Sequence, residues 1–143
     1  MPQGVETNSR EHLLRSEVGE ATVRTMAMPR DTNWLGDVFG GWLMSHADIA
    51  GSVVAYRRAG GNVVTASVND FQFLAPVYVG DVLSFYSKLV RTGTTSLGVE
   101  VNVFAERPGA PPGEYLKVAM ASISYVHIGD DRRPTPIPQK PDG

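Results

Sequence analysis

A chain of 143 residues with 13 basic and 15 acidic side chains, a formal net charge of −2, is long enough for one domain with a real core and too short for two. The near-neutral balance argues against a nucleic-acid partner on bulk electrostatics, although a small phosphorylated ligand still fits. With no cysteine there are no disulfides, thiol nucleophiles or cysteine-ligated metals, which fits a reducing compartment.

Residues 1–20 are polar and aperiodic and are expected to lack order, so the domain should occupy 21–128, with an extended tail over 129–143. That polar start lacks the apolar core of a signal peptide, and no apolar run reaches the length of a membrane span. A cytoplasmic protein with no membrane partner is therefore expected. Ala21 to Met28 reads as a first strand, ended by Pro29 and followed by a loop over Asp31 to Asp37. From Gly40 to about Arg58 the period becomes helical: Leu43, Ala47, Ala50 and Val54 form an apolar stripe that Trp42, Ile49 and Val53 widen, so most of the helix is expected to be buried. Ser45, Asp48 and Ser52 make its narrow polar stripe, with Asp48 read as a structural carboxylate and His46 as a packed neutral ring. Gly60-Gly61 stops the helix.

Beyond that stop the period is two. Strands are expected over Asn62 to Phe73, Asp81 to Thr92, Thr95 to Arg107 and Tyr115 to Ile128, separated by Gly and Pro punctuation that includes PGAPPG at Pro108 to Gly113. Leu97, Val99, Val101, Val103 and Ala105 alternate with Glu100, Asn102 and Glu106, which gives one dry and one wet face. One strand, a long helix and four tightly connected strands predict an α+β fold, a five-stranded antiparallel sheet wrapped around one helix. A single helix cannot cover both faces of such a sheet, so an oligomer is expected.

The chemistry-bearing segment is DTNWLGDVFGGWLMSHAD, Asp31 to Asp48, in which Asp37 stands three residues before the Gly40-Gly41 pair that opens the helix. A helix start offers unpaired N–H groups, and glycine lets a ligand approach them. Asp37 could activate water or attack a carbonyl directly, the Gly41 N–H could hold the resulting oxyanion, and Asn33 could orient water or the carbonyl. Thr65 and Ser67 are expected on one strand face, with the Thr65 hydroxyl a further candidate for orienting water. Gly40, Arg91, Gly93, Thr94, Thr95 and Ser96 suit contact with a phosphate-bearing ligand, whereas Arg57, Arg58, Lys88, Arg107 and Lys117 read as solvated charges. His12, His46 and His127 are scattered without carboxylates at ligand spacing, so no metal site is expected.

NWLGDVFGGWLMSHAD, the strand start VVTASV at Val63 to Val68, the PVYVGD turn at Pro76 to Asp81 and the RTGTTS connection at Arg91 to Ser96 together resemble the YciA-like acyl-CoA thioesterases of the hotdog-fold superfamily. The resemblance spans Ala21 to Pro138. It implies a hotdog fold, hydrolysis of acyl-CoA to a carboxylic acid and CoA without a separate cofactor, and a homodimer with sites at its interface, commonly assembled as a trimer of dimers. It also implies Asp37 as the catalytic acid and the Gly41 N–H as the carbonyl-polarising group. One departure is Asn69, where relatives often carry Glu. A non-catalytic acyl-CoA-binding module or sensor is the competing reading, and a hotdog dehydratase is disfavoured because no histidine occurs between Ala21 and Leu43.

Overall fold

The computed structural model describes residues 12–14 and 20–139. Its elements are β1 (His12–Leu14), β2 (Val23–Met26), a 3-10 turn at Pro29–Asp31, α1 (Gly40–Ala59), β3 (Val63–Phe73), β4 (Val82–Thr92), β5 (Ser96–Glu106) and β6 (Glu114–His127). Each strand expected from the sequence is present, most with ends shifted by a residue. Strand pairing is antiparallel throughout. The sheet order is β3–β6–β5–β4–β2, with β1 sharing the β3 side of β6, so the hotdog arrangement expected above is the one observed.

β5 and β6 sit at the centre and bury the most. Leu97, Val99, Val101 and Val103 of β5 and Val118 and Ala119 of β6 are fully buried and, with Leu83 and Phe85 of β4, form the surface on which α1 lies. The helix presents small residues to that surface. Leu43, Ala47, Ala50, Gly51, Ala55 and Ala59 are its buried positions, and their short side chains let the axis approach the sheet closely. Gly60 ends it in the left-handed region at φ 73°, a conformation that glycine adopts without a Cβ clash.

Three expectations change. The helix is not mostly buried: Met44, Ile49 and Tyr56 are 37%, 53% and 47% exposed, because a single sheet covers one side of it only. His12–Leu14, in the segment expected to lack order, pairs with Tyr115, Leu116 and Glu114 of β6; the backbone of β6 outruns β3 at that end and offers free ladder positions. The rest of residues 1–19 lies outside the described residues. Finally, the tail after β6 is extended but docked. Thr135 N–H donates to the His127 carbonyl and Ile137 N–H to the Thr94 carbonyl, both at 2.8 Å, and Ile137 packs against the core.

Candidate active site

The segment Asn33 to Phe39 is held by its own backbone and by the β3–β4 connection. Asn33 N–H donates to the Asp37 carbonyl at 2.8 Å, and the Asn33 Oδ1 accepts from the N–H groups of Leu35 (2.9 Å) and Asp37 (3.2 Å). Asp37 forms an antiparallel bridge to Tyr78, and Val38 N–H donates to the Val77 carbonyl at 2.8 Å. Between these segments opens a cleft of about 490 Å³, lined on one side by Asn33, Asp37, Val38, Gly40 and Leu43 and on the other by Phe73 through Val77.

Asn33, Asp37 and Gly40 bring polar groups to its lining. The helix start has no side-chain cap, and among the described residues the N–H groups of Gly40 and Gly41 have no acceptor. The oxygen of Asn33 is used by the loop, which leaves its NH₂ as the group available to a ligand. The Asp37 carboxylate is half-buried and makes no hydrogen bond with the described residues. The two glycines differ in surroundings. Gly40 lines the cleft, where a Cβ on it would lie 2.8 Å from the Phe73 ring, whereas a Cβ on Gly41 would meet nothing within 4 Å.

Thr65 stands elsewhere. Its Oγ1 donates at 2.6 Å to Oδ1 of Asp48, eight residues into α1 and so roughly 12 Å from the helix start at 1.5 Å per residue. The expectation that Thr65 and Ser67 share a face fails because the β3–β6 register shifts between them. Thr65 pairs with Tyr125 on the helix side. Ser67 pairs with Ser124 and turns outward, bonding Asn69, which in turn bonds Ser124; the Asn69 side chain thus faces away from α1.

Arg91 to Ser96 also lie apart from the cleft within one chain, at the far end of β4, which spans roughly 33 Å. Arg91 Nη1 donates to Ser96 Oγ at 3.0 Å, and Gly93 N–H donates to the Ser96 carbonyl at 2.7 Å. The carbonyls of Thr94 and Thr95 are taken by the N–H groups of Ile137 and His127. The side chains of Arg91 and Thr94 remain exposed.

Arg107 is not a solvated charge. Its Nε meets Oδ2 of Asp81 at 3.2 Å, its Nη2 donates to the Pro76 carbonyl, and its guanidinium lies 4.9 Å from the Tyr78 ring centroid. Asp81, 1% exposed, also accepts from Tyr78 N–H at 3.0 Å. This latch holds the Pro76 to Asp81 turn, and with it Pro76 and Val77 of the cleft wall. His46 is packed as expected, its ring 4.3 Å from Trp42 and 5.8 Å from Phe85.

The family model for the thioesterase superfamily matches residues 35–111, which includes the helix start, the turn and the connection just described. A curated relative, the acyl-CoA thioester hydrolase YciA of Salmonella typhimurium, is 45% identical over 121 residues, 84% of this chain and 91% of its own. The chain belongs to the thioesterase superfamily. Among solved thioesterases, the hexameric enzyme from Yersinia pestis superposes with a TM-score of 0.79 at 40% identity, covering 85% of this chain and 98% of that one. The acyl-CoA hydrolase of Staphylococcus aureus superposes with a TM-score of 0.76 at 26% identity, covering 93% and 72%. Structures of that thioesterase include three alanine variants, at an Asn, at an Asp fifteen positions later and at a Thr seventeen positions beyond that.

Two contacts of this thioesterase went unread in the sequence, the Asp81–Arg107 latch and the Asp48–Thr65 pair. The first joins residues 26 apart and the second residues 17 apart, so no local pattern marks either. A carboxylate in the narrow polar stripe of a largely apolar helix, followed by a strand Thr able to meet it, is the signal that was present for the second.

Proposed function

We infer that this chain is an acyl-CoA thioester hydrolase whose reacting acid is Asp48, in place of the Asp37 that the sequence suggested. The Asn33 NH₂ and the Gly41 N–H polarise the thioester carbonyl. The 2.6 Å contact between Thr65 and Asp48 carries this reading. Asn33, Asp48 and Thr65 repeat the residue types and separations of the three positions varied in the S. aureus hydrolase, and no other Asn, Asp and Thr in this sequence do so. Asp37 then frames the loop from which Asn33 works.

Hydrolysis needs an activated attacking group on one side of the carbonyl carbon and donors around its oxygen. The Asp48 carboxylate, oriented by the Thr65 hydroxyl, removes a proton from the attacking water, or attacks the carbon itself to form an anhydride that water then opens to the free acid. Negative charge gathers on the oxygen at the Asn33 and Gly41 donors, the C–S bond breaks, and CoA leaves as its thiol with a proton that comes from the water consumed.

Within one chain the acid and these donors are too far apart, and the assembly supplies the remedy. β3 pairs with β6 on one side only, and Val64 and Val68 on it are 39% and 40% exposed. A two-fold axis joining two β3 edges reverses one chain against the other. Each helix start then faces the middle of the other helix, and the Arg91 to Ser96 end of one chain turns toward the cleft of its partner, where it can hold the phosphates of CoA. Hexamers are described for the Y. pestis thioesterase and the Campylobacter jejuni hotdog thioesterase, and three such dimers make a hexamer here. The S. aureus hydrolase has been solved with butyryl-CoA and CoA, a ligand of the chemistry expected for this chain.

Thiol release from a panel of acyl-CoAs by wild type, Asp37→Asn and Asp48→Asn tests the reading. Loss in Asp48→Asn with near-normal turnover in Asp37→Asn supports it; the reverse pattern restores Asp37 as the acid. Binding without release by wild type supports the sensor instead.

Gly41→Ala separates the donor from the helix that carries it. The added methyl meets nothing in the fold, and Ala is the better helix former by up to about 1 kcal/mol. The thermal midpoint is therefore expected to hold or rise. Turnover is expected to fall by about tenfold or more, since the methyl enters the space through which the carbonyl approaches its donor. Thermal unfolding and thiol release, measured side by side, check this.

A further inference from the structure

The hydroxyl of Tyr125 makes a contact that the reaction scheme leaves unused. Tyr125 is fully buried on β6, and its O–H donates at 2.7 Å to the main-chain carbonyl of Asp48. That carbonyl lies in the interior of α1, where the helix supplies its own N–H four residues on. Backbone satisfaction does not require a second donor there.

Space is nevertheless made for it. A Cβ on Gly51 would fall 2.4 Å from the Tyr125 hydroxyl and 3.1 Å from its Cζ, so a side chain at that helix position would displace the phenol. The same rung of the sheet supplies the other hold on residue 48. Tyr125 pairs in register with Thr65, whose Oγ1 donates to the Asp48 carboxylate at 2.6 Å. One cross-strand pair thus grips both the carbonyl and the carboxylate of a single helical residue.

We propose that Tyr125 is a positioning residue for Asp48: together with Thr65 it fixes main chain and side chain, so that the carboxylate meets the thioester in one orientation. The proposal rests on the reading of Asp48 as the reacting acid. Burial, and then the nearby charge of Asp48, push the Tyr125 pKa up from its ordinary value, so the hydroxyl remains a protonated donor across the working range. Tyr125→Phe leaves the ring in its slot and removes the donor alone.

The test is a cycle of four proteins: wild type, Tyr125→Phe, Asp48→Asn and the double variant, each measured for kcat, KM, oligomeric size and thermal midpoint. Tyr125→Phe is expected to lower kcat about fivefold with KM, size and midpoint unchanged, as a small misplacement of a reacting group would. In the Asp48→Asn background the same change is expected to leave the residual kcat unaltered. Equal losses in both backgrounds, full kcat in Tyr125→Phe, or failure of that variant to assemble would each assign the hydroxyl to structure alone and overturn the proposal. Wild-type kcat in Asp48→Asn overturns the reading of the acid itself, and the positioning role falls with it.

Discussion

Asp48→Asn is expected to lower the kcat of thioester hydrolysis by about 10²–10⁴-fold, the range a positioned base or nucleophile supplies. The substitution is nearly isosteric. Asn retains an oxygen to accept from the Thr65 hydroxyl, which now donates to Asp48 at 2.6 Å, and the Tyr125 bond goes to the main chain, which the change does not touch. Folding and assembly should therefore be preserved, and KM should stay near wild type because CoA is held elsewhere. What disappears is the negative charge. An amide can neither take a proton from water nor attack the carbonyl, whereas the donors at Asn33 and Gly41 remain and leave a residual rate. Asp37→Asn provides the comparison, since the Asp37 carboxylate has no bond to lose among the described residues and its backbone bridge to Tyr78 remains.

Asp81→Ala is expected to destabilise the protein by about 3 kcal/mol, through a mechanism distant from the chemistry. Asp81 is buried, while the Arg107 side chain keeps 28% of its exposure. Removing the carboxylate strands a partly desolvated guanidinium and deprives Tyr78 N–H of its acceptor. Breaking a fully buried pair costs about 3–5 kcal/mol, and the remaining exposure of Arg107 places this one at the lower end. Denaturant unfolding of the purified oligomer measures it. Because Pro76 and Val77, at the start of that turn, line the cleft, KM is expected to rise as well; an unchanged KM would show that the turn keeps its shape without the latch.

The fold was legible wherever local signals agreed. Strict alternation marked β5, Gly60-Gly61 marked the end of α1, and the Pro and Gly cluster at Pro108 to Gly113 marked the β5–β6 connection. Three features were not legible, for related reasons. The register shifts after Thr65 and Val68 fall at Ala66 and Asn69; Ala66 carries no turn signal, so simple alternation put Ser67 on the wrong face. The open side of α1 depends on how many sheets cover it, which periodicity does not record. At the proposed site, the acid and diglycine of Asp37 to Gly41 form a compact local pattern that is visible in the sequence. Asp48 instead gains its setting from β3 and β6, through Thr65 and Tyr125, both distant in sequence. Asn33, Gly41 and Thr65, the other members of the proposed site, can be singled out without that map, because polar groups at a helix start and a strand hydroxyl are recognisable one residue at a time.

The shared site is tested most directly by mixing two defective chains, Asp48→Asn and Asn33→Ala, under conditions where subunits exchange. Each alone is expected to release little thiol from acyl-CoA. In a mixed dimer one of the two sites combines an intact Asn33 from one chain with an intact Asp48 from the other. Random pairing should therefore restore about a quarter of wild-type activity. A mixture no more active than its components would contradict a site built from two chains.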